Sequence, residues 1–150
     1  MTTDTTTRKF EIHMHSCYSD GEFSPTELVA IAQKNGVSIL SLTDHDTFSG
    51  LPEFLEAGRK ADLIAFPGIE MTVKYGEVQL HLLGYFKDLE SIQSRLWDRV
   101  ETMKAQREER MRAMIDKLND VVPERFREAT SCDSVQRAAE AVPARKHLAR

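Results

Sequence analysis

The chain has 150 residues, 41% of them apolar and 29% charged, with a formal net charge of −4, which suits one ordinary globular domain. No apolar run approaches the roughly 18 residues that span a bilayer, and the polar start MTTDTTTRKF lacks the apolar core of a secretion signal. Cys17 and Cys132 are too few and too far apart for a disulfide framework, so the expected compartment is a reducing cytoplasm.

Residues 1–9 read as a polar leader. Residues 8–15 then alternate: Phe10, Ile12 and Met14 point to one side of a strand, and Glu11, His13 and His15 to the other. Ser24-Pro25-Thr26-Glu27 opens a helix with a serine cap, proline in the first turn and a capping-box glutamate. Leu28, Ile31 and Ala32 form its buried stripe, and Gly36 stops it. VSILSLTDHD (37–46) is a nearly continuous apolar run ending in polar residues, the pattern of a strand covered on both faces in a parallel sheet. A second helix is predicted over about 50–60, from Leu51, Phe54, Leu55 and Gly58. LIAFPGIEMT (63–72) and EVQLHLLGYF (77–86) read as two further strands, and the order β-α-β-α-β-β predicts an α/β fold.

From about residue 89 the pattern changes. Ile92, Leu96, Val100, Met103, Met111, Met114 and Leu118 mark a long amphipathic helix whose apolar stripe is assigned to core. Pro123 interrupts it, a short helix is predicted from Asp133 or Ser134 to Ala141, and His147 is left unassigned. Charge is split along the chain. Residues 1–90 hold 14 acidic and 7 basic side chains, a balance of −7, and residues 91–150 hold 10 and 13, a balance of +3. The basic part is either a solvated helical surface or a flank offered to an anionic substrate.

Alternate residues on a strand share a face with Cα atoms about 6.5–7 Å apart, so His13 and His15 can converge on one ion. Asp20, in the following turn, brings a carboxylate to the same strand end. His45 follows the second strand between Asp44 and Asp46, and Glu70 follows the third. Ligands collect at the carboxyl ends of strands in such folds, and three successive strands each deliver a ligand-type residue there. His81 is either a packed mid-strand residue or a further ligand. Asp44 and Asp46 are read as carboxylates supporting the histidine from behind, or as turn or helix caps before Ser49-Gly50. Cys17 reads as a small buried thiol. Imidazoles and carboxylates without a plausible thiolate suit manganese, iron or zinc, and six candidates suggest more than one ion. Paired ions can clamp a phosphoryl group and acidify a bound water, so no serine or cysteine nucleophile is required.

The motifs HMHSCYSDG, TDHDT, PGIE and HLLGY resemble, in order and spacing, those of the PHP (polymerase and histidinol phosphatase) superfamily. Within it they look most like stand-alone enzymes acting on nucleotides, the 3′,5′-nucleoside bisphosphate phosphatases and RNase AM type 5′→3′ exoribonucleases. The resemblance implies a distorted seven-stranded β/α barrel with a trinuclear metal centre at the strand ends, so two or three divalent ions are the expected cofactors. It divides the chain into a barrel part, 10–88, and an inserted helical subdomain, 89–150. His13 and His15 would bind one ion, Asp20 and His45 a second, and His81 a third. Glu70 would bridge ions and hold the nucleophile. The family's remaining ligands, a histidine and a closing Asp-X-His pair, have no counterpart after His81. The sequence is therefore expected to be the front part of a longer protein, or to be completed by a partner segment. The function implied is metal-dependent hydrolysis of nucleotides or of the 5′ ends of short RNA, with no membrane or protein partner evident and the substrate contacts unknown. The alternatives are a PHP phosphatase for a small phosphomonoester such as a histidinol phosphate-like substrate, or a non-catalytic metal-binding module.

Overall fold

The computed structural model describes residues 8–121 and Pro123. In chain order it contains β1 (Lys9–Met14), α1 (Pro25–Lys34), β2 (Val37–Leu42), α2 (Leu51–Lys60), β3 (Ile64–Tyr75), β4 (Val78–Tyr85) and α3 (Ser94–Val121). The four strands form one mixed sheet in the order β1-β2-β3-β4. β1, β2 and the first part of β3 are parallel, with Met14 beside Leu42 and Leu42 beside Pro67. From Gly68 onward β3 pairs antiparallel with β4 in a hairpin that sets Thr72 opposite His81.

The sheet is curled. β1 and β4 lie at its two edges with two strands between them, yet the Tyr85 hydroxyl donates to the Ile12 carbonyl at 3.0 Å. In a flat sheet those edges would stand about 14 Å apart, three strand spacings, beyond the reach of a tyrosine. The curl forms a half-barrel and turns the strand ends toward a common point. Gly68 is needed where β3 changes partner: a Cβ there would lie 2.5 Å from Ser41 Oγ and 2.9 Å from the Leu42 carbonyl oxygen.

Helix α1 begins at the predicted box, with Ser24 Oγ accepting from the Glu27 amide and the Ser24 amide donating to the Glu27 carboxylate at 2.8 Å. α1 packs on α2 and β2, and α2 packs on β3. Between helices and sheet lies the core, built on Leu40, Leu42, Phe48, Leu51, Phe54 and Ile69, all no more than 2% exposed. Apolar side chains are exposed on both faces: Phe10 and Ile64 on the face away from the helices, and Val78, Leu80 and Leu82 of β4 on the face shared with Ile69 and Met71; of the apolar residues on β1 only Met14 packs against the core.

Three boundaries differ from expectation. β2 ends at Leu42; beyond it the chain meets β3 again only at the isolated His45–Glu70 bridge, and the left-handed Asp46, φ 52°, turns it away. β3 continues to Tyr75 because the hairpin with β4 supplies its later half with partners. α3 starts at Ser94 rather than near 89: Ser91 donates its amide to the Asp88 carboxylate and its hydroxyl to the Asp88 carbonyl, a local turn that competes with helix. The helix expected near 133–141, with Cys132 and His147, lies outside the described residues.

Candidate metal centre

The strand order brings six side chains to one rim. His13 lies in β1 and His15 just beyond it, Asp20 in the turn after β1, His45 after β2, Glu70 within β3 and His81 on β4. His45 is tied to Glu70 by an isolated parallel bridge, in which the Glu70 amide donates to Asp44 O at 3.2 Å and the Asp46 amide to Glu70 O at 3.0 Å. The loop after His15 folds back on itself, with the amides of Ser19 and Gly21 both donating to the Ser16 carbonyl. Position 21 must be glycine, since a Cβ would stand 2.0 Å from the His15 carbonyl oxygen.

Glu70, only 5% exposed, is the hub. Its Oε2 lies 2.8 Å from His13 Nε2, 3.1 Å from His15 Nε2 and 3.9 Å from His45 Nε2, while its Oε1 lies 2.8 Å from His81 Nδ1. Asp20 approaches His15 Nδ1 at 3.4 Å and His45 Nε2 at 3.7 Å. The rings of His15 and His45 stack at 4.6 Å. These donors form three overlapping groups, His13-His15-Glu70, His15-Asp20-His45 and His45-Glu70-His81, each with ligand atoms within 4.8 Å of one another. Two donors on one zinc-sized ion at bonds of about 2.0–2.1 Å stand roughly 3.3 Å apart, so these separations suit cations with modest adjustment.

Divalent cations also fit the donor chemistry. His15 Nδ1 is shut off from solvent and makes no hydrogen bond, with the Asp20 carboxylate 3.4 Å away, a spacing that suits a shared cation better than an unbonded buried nitrogen. Burial holds the His15 ring below its ordinary pKa, against the opposing pull of Asp20, which favours the neutral imidazole that binds metal. Burial pushes the Glu70 carboxyl up, but the His13 hydrogen bond and the charges of His45, His13 and His15 outweigh it and hold the pKa below the usual value.

Asp44 and Asp46 are both buried, and neither caps α2, whose Gly50 N-cap receives no side-chain hydrogen bond. Asp44 accepts from the Ser16 amide at 2.6 Å, the Ser16 hydroxyl at 2.6 Å and the Ser19 hydroxyl at 2.7 Å, so it holds the loop between His15 and Asp20. Its pKa is raised because burial outweighs those bonds. Asp44→Ala leaves three buried donors without an acceptor and is expected to cost about 2–4 kcal/mol of stability, read from denaturant unfolding; a loss below 0.5 kcal/mol would remove this role. Asp46 accepts from the Thr72 amide and hydroxyl and pairs with Arg107 of α3. Cys17 is half-buried and forms no disulfide among the described residues.

A cavity of about 570 Å³ opens beside the centre, reached by Asp20, His45 and His81. Its far wall is one face of α3, carrying Met103, Gln106, Arg107, Arg110, Met111 and Met114 at helical spacing. These methionines were expected in the core; Met111 is buried, but all three line the cavity, because the α3 face that carries them turns toward the strand ends. Arg107 and Thr72 escape a motif reading, since nothing adjacent in sequence marks them. The surplus of basic residues along α3 is the only sequence signal that touches Arg107.

Comparison with known proteins places this geometry. The chain is 31% identical over 145 residues to a 5′-3′ exoribonuclease of Haemophilus influenzae, a match covering 96% of this chain and 50% of that protein. It is 35% identical over 74 residues to a 3′,5′-nucleoside bisphosphate phosphatase of Chromobacterium violaceum, covering 49% of this chain and 26% of the other. A solved structure from Bifidobacterium adolescentis, assigned provisionally as a metal-dependent phosphoesterase, superposes with a TM-score of 0.78 at 26% identity, over 95% of this chain and 49% of that one. The chain thus spans about half the length of the Haemophilus and Bifidobacterium proteins. Residues 11–116 match the PHP domain, and with the curled sheet and the histidine-carboxylate rim already described, the chain belongs to the PHP domain family.

Proposed function

We propose that this chain carries the metal-holding part of a divalent-metal-dependent phosphoesterase acting on nucleotides or on the 5′ ends of short RNA. The observation that carries the reading is the set of three overlapping donor groups, two of which contain Glu70. In this reading His13 and His15 hold one ion, Asp20 and His45 a second, and His81 a third, with Glu70 shared among them. The donor set suits manganese, iron or zinc. Such ions, when bound, supply Lewis acidity to phosphoryl oxygens and lower the pKa of water.

The protein's own residues then orient and select. Asp44 and Asp46 hold the two loops that present His15, Asp20 and His45. The cavity volume lies within the range of small-molecule sites, with room beyond a bare phosphate. Arg107 is committed to Asp46, whereas Arg110, one turn further along α3, also lines the cavity and can meet a second anionic group of the substrate. Residues 89–150 belong in this reading to an inserted helical subdomain, and residues 10–88 to the front of a seven-stranded barrel. β4 is an edge strand of the described sheet, which supports completion of the sheet by further strands. No helix among the described residues is long and apolar enough to cross a membrane, and the reading places the enzyme in the cytoplasm.

The test is a substrate panel with Mn²⁺: a nucleoside 3′,5′-bisphosphate, a short 5′-phosphorylated RNA, histidinol phosphate and a simple aryl phosphate. Specificity constants at least tenfold higher for the nucleotide or RNA are expected. Equal or faster turnover of the small monoesters would turn the assignment to the small-substrate phosphatase.

A further inference from the structure

We infer that Arg107 is a positioning residue that locks the His45 loop to helix α3, so that the metal centre depends on a helix contributing none of its ligands. The inference rests on the reading of His45 as a ligand.

The Arg107 guanidinium makes a forked contact with two consecutive residues, Nη2 donating to the Asp46 carboxylate and Nη1 to the His45 carbonyl at 3.4 Å. Both charged side chains are withdrawn from water, Arg107 at 17% and Asp46 at 5% exposure. The other two donors to Asp46 are neutral groups of Thr72, its amide at 2.7 Å and its hydroxyl at 2.8 Å. Arg107 is thus the one cation paired with this carboxylate among the described residues. Asp46 also has a left-handed backbone, φ 52°, a conformation that aspartate tolerates better than most side chains and that shapes the turn after His45.

Two anchors hold this loop. One is β3, through the Asp46 amide to Glu70 O and through Thr72. The other is α3, through Arg107. His45 sits between them, its ring aimed at Asp20 and Glu70. Removing the guanidinium leaves a buried carboxylate without its counter-charge, beside the acidic rim formed by Asp20 and Glu70. The loop must then move to bring the carboxylate toward solvent, and that movement shifts His45. Lysine keeps the charge but lacks the rigid planar fork that meets both acceptors in one fixed geometry.

The experiment is Mn²⁺ titration, followed by electron paramagnetic resonance, of the parent protein and of His45→Ala, Arg107→Gln, Arg107→Lys and Arg107→Gln/Asp46→Asn variants. Circular dichroism and Trp97 fluorescence report folding. His45→Ala is expected to weaken binding, which supports the ligand reading. Arg107→Gln should weaken binding about 10–100-fold, the range seen when an outer partner of a metal ligand is lost. Arg107→Lys should lie between it and the parent. The double variant should recover part of the loss, because no unpaired charge remains; a merely structural role for Arg107 would show no such recovery. If Arg107→Gln does not fold, Arg107→Lys carries the test, with several-fold weakening expected. Affinity within twofold of the parent for a folded Arg107 variant, while His45→Ala binds weakly, overturns the inference and leaves the ligand reading standing. No effect of His45→Ala, or no binding by the parent, overturns both.

Discussion

Glu70→Ala is expected to remove most Mn²⁺ binding and, with it, phosphoester hydrolysis. One carboxylate faces four imidazoles, with Oε1 at 2.8 Å from His81 and Oε2 at 2.8 Å and 3.1 Å from His13 and His15, and 3.9 Å from His45. Its loss takes the shared donor from two of the three groups and leaves His15-Asp20-His45 alone. The drop in affinity should exceed the roughly 10–100-fold that follows removal of a mere outer partner. Glu70→Gln keeps the shape and some hydrogen bonding but loses the charge, and it should bind nearly as weakly as alanine; near-parent affinity in glutamine would show that packing, not charge, is what Glu70 supplies. In the metal-free protein the carboxyl sits below its ordinary 4.5. The native state therefore binds this proton less readily than the unfolded chain. The stability it contributes is present above the ordinary value and is lost as pH falls through the lowered native one. Glu70→Ala should lack that component of acid sensitivity.

The second large effect is expected on stability. Phe48 is 2% exposed, two residues past Asp46, and its ring lies 4.5 Å from Trp97 and 6.0 Å from Phe86. It joins the His45 loop to the start of α3. Phe48→Ala removes a large apolar side chain from a closed site, and such losses cost about 3–5 kcal/mol. For a chain of this size that lowers the melting temperature by roughly 10 °C. Trp97 is the sole tryptophan, so its emission should shift to the red as its packing loosens. Because α3 then seats less firmly, Mn²⁺ affinity should fall along with stability. An unchanged melting temperature would show that α3 is held by other contacts.

The rim could be anticipated where strand ends are visible in the sequence. His13 and His15 alternate on one strand, and His45 and Glu70 each close an apolar run, so local pattern alone sends them to the same edge. His81 is different. Its place opposite Thr72 and beside Glu70 depends on the β3-β4 register and on the curl of the sheet, neither of which a two-residue period encodes. The partners of Asp44 and Asp46 depend on contacts between residues far apart in the chain. Ser16 lies 28 residues from Asp44 and Arg107 lies 61 from Asp46. Arg107 is one of seven basic residues on α3, and which of them meets Asp46 is set by how Phe48 and Trp97 seat that helix. The same seating turns Met103 and Met114 to the cavity wall, although a periodic apolar stripe reads as core.

Anomalous X-ray diffraction at the manganese edge, from crystals grown with Mn²⁺, tests the central claim most directly: side chains from successive strands share cations at one rim. Two or more peaks are predicted within bonding distance of atoms from His13, His15, Asp20, His45, Glu70 and His81, at least one of them touching Glu70. Well-ordered crystals with no peak among these residues, or with manganese bound only elsewhere, would contradict it.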